Sequence, residues 1–139
     1  MPQTHLLSSL TAAITGGTTG IGRAIALEYL RQGCSVAINH LNLPSDAHHV
    51  DSLLAEARRI GEADPEAGRL IEVQGDVSRP ETGKELVEAA VREFGGRDVF
   101  VSNAGVCQFA EFLECALPLL FLFLDPPLAF IPLVCKGEG

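Results

Sequence analysis

Basic side chains are scarce in this sequence of 139 residues: ten Lys and Arg stand against 18 Asp and Glu, giving a formal charge of −8. That balance argues against nucleic acid or an anionic membrane as the main partner and suits a soluble cytoplasmic chain. Cys-x-x-Cys pairs are missing. The four cysteines, Cys34, Cys107, Cys115 and Cys135, have no histidine at ligand spacing, so reduced thiols are expected rather than a metal site. No basic stretch precedes an apolar one at the N-terminus, and no secretory signal is read there. A membrane-spanning run is also lacking. Within the apolar stretch 115–134 the longest segment free of proline and charge is residues 119–124, whereas a spanning helix needs roughly 20 residues. His48 and His49 are read as a solvated pair rather than shared ligands, since adjacent side chains diverge on a helix.

What the sequence does hold is apolar material, 47% of its residues, enough for the core of one domain. Strand-like runs at 10–15, 35–39, 70–74 and 98–102 alternate with helical patterns. The first helix spans 21–32 and stops at Gly33. The second carries Val50, Leu53, Leu54, Ala57 and Ile60 on one face, with Ser45 or Asp46 as cap. The third carries Leu86, Val87, Ala90, Val91 and Phe94 and stops at Gly95-Gly96. This rhythm predicts an α/β architecture: a partial doubly wound (Rossmann-type) parallel sheet of strand order 3-2-1-4, its ligand crevice between strands one and four. Residues 1–113 form the expected nucleotide-binding domain. Residues 114–139, with Pro118, Pro126, Pro127 and Pro132, form an irregular tail expected to stay outside the core. With no fifth strand, Val99 and Val101 would lie near an unpaired edge, which predicts self-association.

The strongest chemical signal is Thr15-Gly-Gly-Thr-Thr-Gly-Ile-Gly22, leaving a strand and opening a helix. A pyrophosphate needs close backbone approach and free amides, and glycines at a helix N-terminus supply both. Gly16 is read as the tight turn and Gly20 as the point of approach. Gly22 is read as the place where the helix packs closely on the sheet; Thr18, Thr19 and Ile21 complete the loop.

Together with Asp76-Val77 after the third strand and Ser102-Asn103-Ala104-Gly105 after the fourth, this loop resembles the short-chain dehydrogenase/reductase family. The resemblance implies hydride transfer with NAD or NADP. It places Asp76 and Val77 beside the adenine ring. Asn103 would steady the sheet, and Ala104 and Gly105 would lie against the cofactor. At the end of strand two an acid would bind the ribose of NAD; this chain has Asn39-His40-Leu41-Asn42 and no acid before Asp46. Nothing there repels a 2′-phosphate, so NADP is favoured, with Asn39 or His40 as the discriminating contact.

The family's chemistry rests on Tyr-x-x-x-Lys, a serine and a later asparagine. Here the single tyrosine, Tyr29, is followed by Leu-Arg-Gln-Gly, and the two lysines are Lys84 and Lys136. No catalytic residue is assigned, and Ser102 and Asn103 are not the family's catalytic serine and asparagine. Within the family, residues 13–26, 38–41, 99–107 and 111–114 resemble the sugar 1-dehydrogenases, those oxidising L-rhamnose nearest, which implies a small sugar or polyol as substrate. That likeness stops at Glu114, consistent with a retained intron or a truncated reading of the gene; the nucleotide sequence across codon 114 would decide. Three functional readings follow: an inactive enzyme fragment, a nucleotide-binding module that partners a full-length relative, and an oxidoreductase with unusual catalytic groups.

Overall fold

The computed structural model describes residues 5–105 and a strand at Val134–Lys136. In chain order the elements are β1 (Thr11–Ile14), α1 (Gly20–Arg31), β2 (Ser35–His40), α2 (Ala47–Ala63), β3 (Leu70–Gln74), α3 (Pro80–Phe94), β4 (Val99–Val101) and β5 (Val134–Lys136). A 3₁₀ turn, Pro44–Asp46, leads into α2. Strands β1 to β4 are parallel and lie in the expected order 3-2-1-4.

The expected open edge at β4 is not found. Strand β5 pairs with it antiparallel, Phe100 opposite Cys135, and gives the full order β3-β2-β1-β4-β5. The physical reason is local. Val134, Cys135 and Lys136 follow the last proline and keep their N–H groups, so this short piece can join a ladder where the preceding prolines cannot. Residues 1–4, 106–133 and 137–139 lie outside the described residues, and with them all of the expected tail, 114–139, except β5.

Alternation along the strands divides the core between two faces. Ala12, Ile14, Val36, Ile38 and Val101 face α1 and α2, where Ala26, Leu27, Leu30 and Leu53 meet them. Ala13, Ala37 and Val73 face α3, which supplies Leu86, Ala89 and Ala90. Each fully buried Leu or Ile stabilises this arrangement by about 1.5–3 kcal/mol. Among the described residues no helix is long and apolar enough to cross a membrane.

Two expectations about α2 need correction. Asp46 occupies the N-cap position but makes no side-chain cap bond, because it already has right-handed helical torsions (φ −98°, ψ −10°) as the last residue of the 3₁₀ turn; capping normally needs an extended residue there. Ser45 instead bonds the Asp46 carboxylate. The rings of His48 and His49 also do not diverge: their centroids lie 3.8 Å apart.

Cys34, just before β2, is fully buried. Burial, and then the Asp98 charge, push its thiol up to about 12. Because the thiolate is the reactive form, its fraction at neutral pH falls about a thousandfold below that of a free thiol. Iodoacetamide at pH 8 is therefore expected to spare Cys34 in the folded chain and label it after denaturation, as read by peptide mass spectrometry. Native labelling at the denatured rate would contradict this environment.

The N-terminal segment is held to the end of α2 by His5, whose Nε2 lies 2.6 Å from Asp64 Oδ2 and whose Nδ1 lies 3.1 Å from Glu66 Oε2. The hydrogen bond to Asp64 raises the His5 pKa above its usual range, with the Asp64 and Glu66 charges adding to it and burial opposing. The same bond, and then the Glu66 backbone N–H, hold the Asp64 carboxyl low. A raised His contributes stability that is complete below its unfolded value, about 6.5, and is lost as pH rises through the folded one. A lowered Asp contributes above about 3.9 and fades as pH falls. His5→Ala is thus expected to lower Tm most between about pH 4 and 6.5 and much less at pH 9. An equal loss at both ends of that range would show that charge pairing is not what ties the segment down.

Candidate functional site

Where the winding of the sheet reverses between β1 and β4, the carboxyl ends of β1 to β4 open onto a cleft of about 590 Å³. Its walls include Gly16, Thr18 and Thr19 after β1, Asn39 and His40 at the end of β2, Asp76 and Val77 after β3, and Asn103, Ala104 and Gly105 after β4. Ten of the thirteen residues singled out in the sequence thus meet around one space, though they come from four separate segments. Gly20, Ile21 and Gly22 do not line the cleft; they form the first turn of α1 at its margin.

The loop is built by a few local constraints. Gly16 has a φ of +64°, and a Cβ there would press on Ala104 at 3.0 Å. Gly20 (φ +53°) meets nothing within 4 Å where a side chain would begin. Gly22 is closed in: a Cβ would lie 2.3 Å from the Gly16 carbonyl oxygen and 2.5 Å from Asn103 Nδ2. It therefore seats the helix against the loop and Asn103, rather than against the sheet at large. Gly17, which carried no expected role, is similarly confined by the Ile38 side chain.

Asn103 and Thr15 knot the loop to β4. Asn103 Nδ2 donates to the carbonyls of Thr15 (3.2 Å) and Gly16 (3.0 Å). The Thr15 hydroxyl accepts the N–H groups of Asn103 and Ala104, both at 3.0 Å, and donates to the Val101 carbonyl. Thr19, the N-cap of α1, is extended and makes no side-chain cap bond. The opening amides of α1 have no acceptor within the helix, so the helix end presents free donors and a positive dipole beside the cleft.

At the far end, Ser78 bonds Asp76 through its backbone N–H and, secondarily, its hydroxyl, holding the Asp76 carboxyl below the usual carboxylate range. Val77 and Leu41 add half-exposed apolar surface. Asn39 Nδ2 donates to the carbonyls of Gly75 (2.9 Å) and Val73 (3.4 Å). His40 Nδ1 accepts the Asn42 N–H at 3.1 Å, which leaves the proton on Nε2, 3.1 Å from Glu72 Oε2.

Sequence reasoning missed Leu41, Asp46, Gly75 and Ser78 as wall residues. Leu41 directly follows His40, and Ser78 follows Val77, so adjacency to the motifs was a usable signal. For Asp46 the signal was Pro44, which starts the turn that carries the chain back over the cleft.

The donor set suits a dinucleotide: free helix amides for a diphosphate, close backbone approach at Gly20, and a half-apolar slot with one carboxylate at the other end. Comparisons with known proteins agree. A family profile described as short chain dehydrogenase matches residues 10–118. An L-rhamnose-1-dehydrogenase of Scheffersomyces stipitis is 48% identical over 118 residues, covering 85% of this chain and 43% of that protein. An L-rhamnose 1-dehydrogenase (NAD(P)(+)) of a Sphingomonas species is 42% identical over 109 residues, covering 78% and 39%. The crystal structure of a short-chain type dehydrogenase/reductase from Mycobacterium marinum superposes with a TM-score of 0.69 at 28% identity, over 82% of this chain and 42% of that one. The chain spans about two fifths of the length of these relatives.

Proposed function

The chain belongs to the short-chain dehydrogenase family, and on that footing we propose that it binds a nicotinamide dinucleotide in the cleft at the β1–β4 reversal without turning over a substrate by itself. The observation that carries this reading is the meeting of three motifs, around Gly16, Asp76 and Asn103, beside an uncapped helix N-terminus. In this reading the amides of α1 and Gly20 hold the diphosphate. Asp76 and Val77 flank the adenine, and Ala104 and Gly105 offer backbone to the nicotinamide half. The bound nicotinamide would supply the hydride donor or acceptor.

Proton transfer to or from a substrate oxygen needs a positioned group of suitable pKa. Tyr29, on α1, is the one tyrosine, and no lysine follows it at the fourth position. We therefore assign the chain to an oxidoreductase lineage acting on a small sugar or polyol, L-rhamnose first among them, as a catalytically incomplete nucleotide-binding part. The NADP preference expected from the sequence rested on the lack of an acid near Asn39 and His40, and Asp46 on the cleft wall argues the other way.

NADH and NADPH fluorescence titration followed by an L-rhamnose oxidation assay tests the reading. Saturable binding without turnover is the expected result. Absence of binding to either nucleotide overturns it, and binding with turnover would return the chain to the active oxidoreductases. If the chain also captures a full-length relative, the partner-module reading gains.

A further inference from the structure

We propose that the ribose end of this cleft selects NAD(H) over NADP(H), and that Asp46, delivered by the 3₁₀ turn rather than by the end of β2, enforces the choice. The inference rests on the nucleotide-binding reading above and adds the identity of the coenzyme.

Donors and acceptors distinguish the two coenzymes. A 2′-phosphate offers only acceptors and carries negative charge, so it needs cations or free N–H and O–H donors. A 2′-hydroxyl can donate, so it needs an acceptor. At the end of β2 the Asn39 amide nitrogen is engaged by the Gly75 and Val73 carbonyls, and these contacts fix the flip. What Asn39 has left is its oxygen, an acceptor. His40 has no donor left, because Nδ1 takes the Asn42 N–H and Nε2 faces Glu72. Neither residue can greet a phosphate, although both had been expected to discriminate.

Asp46 then adds a carboxylate. The 3₁₀ turn that starts at Pro44 is closed by the Asp46 N–H on the Leu43 carbonyl at 2.8 Å, and it brings Asp46 onto the same wall as His40 and Leu41. Ser45 Oγ, 3.2 Å away, meets one carboxylate oxygen, Oδ1; Oδ2 is free to accept. The second acid of the cleft, Asp76, adds negative charge, and among the described residues none that lines it is Lys or Arg. The nearest basic residue of α1, Arg23, is turned away onto α2, where it donates to the His49 carbonyl, Ser52 and Glu56. A 2′-phosphate here would face carboxylates with no counter-ion, while a 2′-hydroxyl would donate to one.

Titration of the full chain with NADH and NADPH, at low and at high salt, tests this. NADH is expected to bind at least about tenfold more tightly, a gap that narrows with salt as the repulsion is screened. Asp46→Asn keeps the shape of the turn and removes the charge; it should tighten NADPH and close most of the gap. Asp46→Arg should reverse it. Equal affinities in the native chain, or a gap unchanged in Asp46→Asn, would overturn the assignment to Asp46 while leaving nucleotide binding intact. Binding of neither nucleotide would remove the underlying reading as well.

Discussion

Gly22→Ala is expected to abolish measurable coenzyme binding while leaving most of the sheet in place. The added methyl would start 2.3 Å from the Gly16 carbonyl oxygen and 2.5 Å from Asn103 Nδ2, and neither can give way freely. One is backbone in a left-handed turn; the other is an amide bonded to two carbonyls. The helix must move away from the loop by a sizeable part of an ångström. Displacements of about 1 Å in a preorganised site cost on the order of a hundredfold, and overpacking of this kind costs about 1–3 kcal/mol of stability. Gly20→Ala makes a useful contrast. Its methyl meets nothing, so the fold bears only the left-handed strain, about 1–2 kcal/mol. Titration and thermal melts of the two variants side by side separate the effects. Wild-type affinity in Gly22→Ala would remove the seat between α1 and the loop from the account.

The second large effect is expected at Thr15. Valine there has nearly the same shape, yet it deletes the oxygen that accepts the Asn103 and Ala104 N–H groups and donates to Val101. Thr15 is buried, so water reaches these groups poorly. Leaving buried donors without partners costs about 1–3 kcal/mol each, or roughly 2–4 kcal/mol for the whole site with partial relaxation. A loss of that size lowers Tm by roughly 10 °C or more in a domain this small. Thr15→Ser keeps the oxygen and should recover most of it. If valine and serine melt together, the hydroxyl is not the tie between the loop and β4.

These two residues also show what the sequence reveals and what it hides. Gly16, Gly20 and Gly22 were legible because turn chemistry and helix starts are local, written within eight consecutive positions. The strand order was legible because parallel crossovers leave few topologies. The Thr15 hub was not, since its partners lie 88 and 89 residues further along the chain and no period connects them. Asp46 was read as a helix cap, its usual local role; its position over the cleft follows from the path of the turn after Pro44 in three dimensions. Likewise Asn39 and His40 were legible as wall residues. The engagement of their donors by β3 residues was not, because it depends on the register that sets Asn39 opposite Val73 and His40 opposite Gln74. Strand β5 is only three residues long, too short to show an alternation.

The loop hangs from β1, whose four residues are all buried and which is flanked by a parallel strand on each side. Amides in such a strand exchange with deuterium only when the whole domain opens. A ligand held by the loop would therefore be released through global opening as well as by direct dissociation, and its binding would register in the slowest-exchanging protons of the molecule. At a hundredfold excess over Kd that added protection amounts to about 2.7 kcal/mol, which turns the centre of the sheet into a gauge of occupancy at its tip.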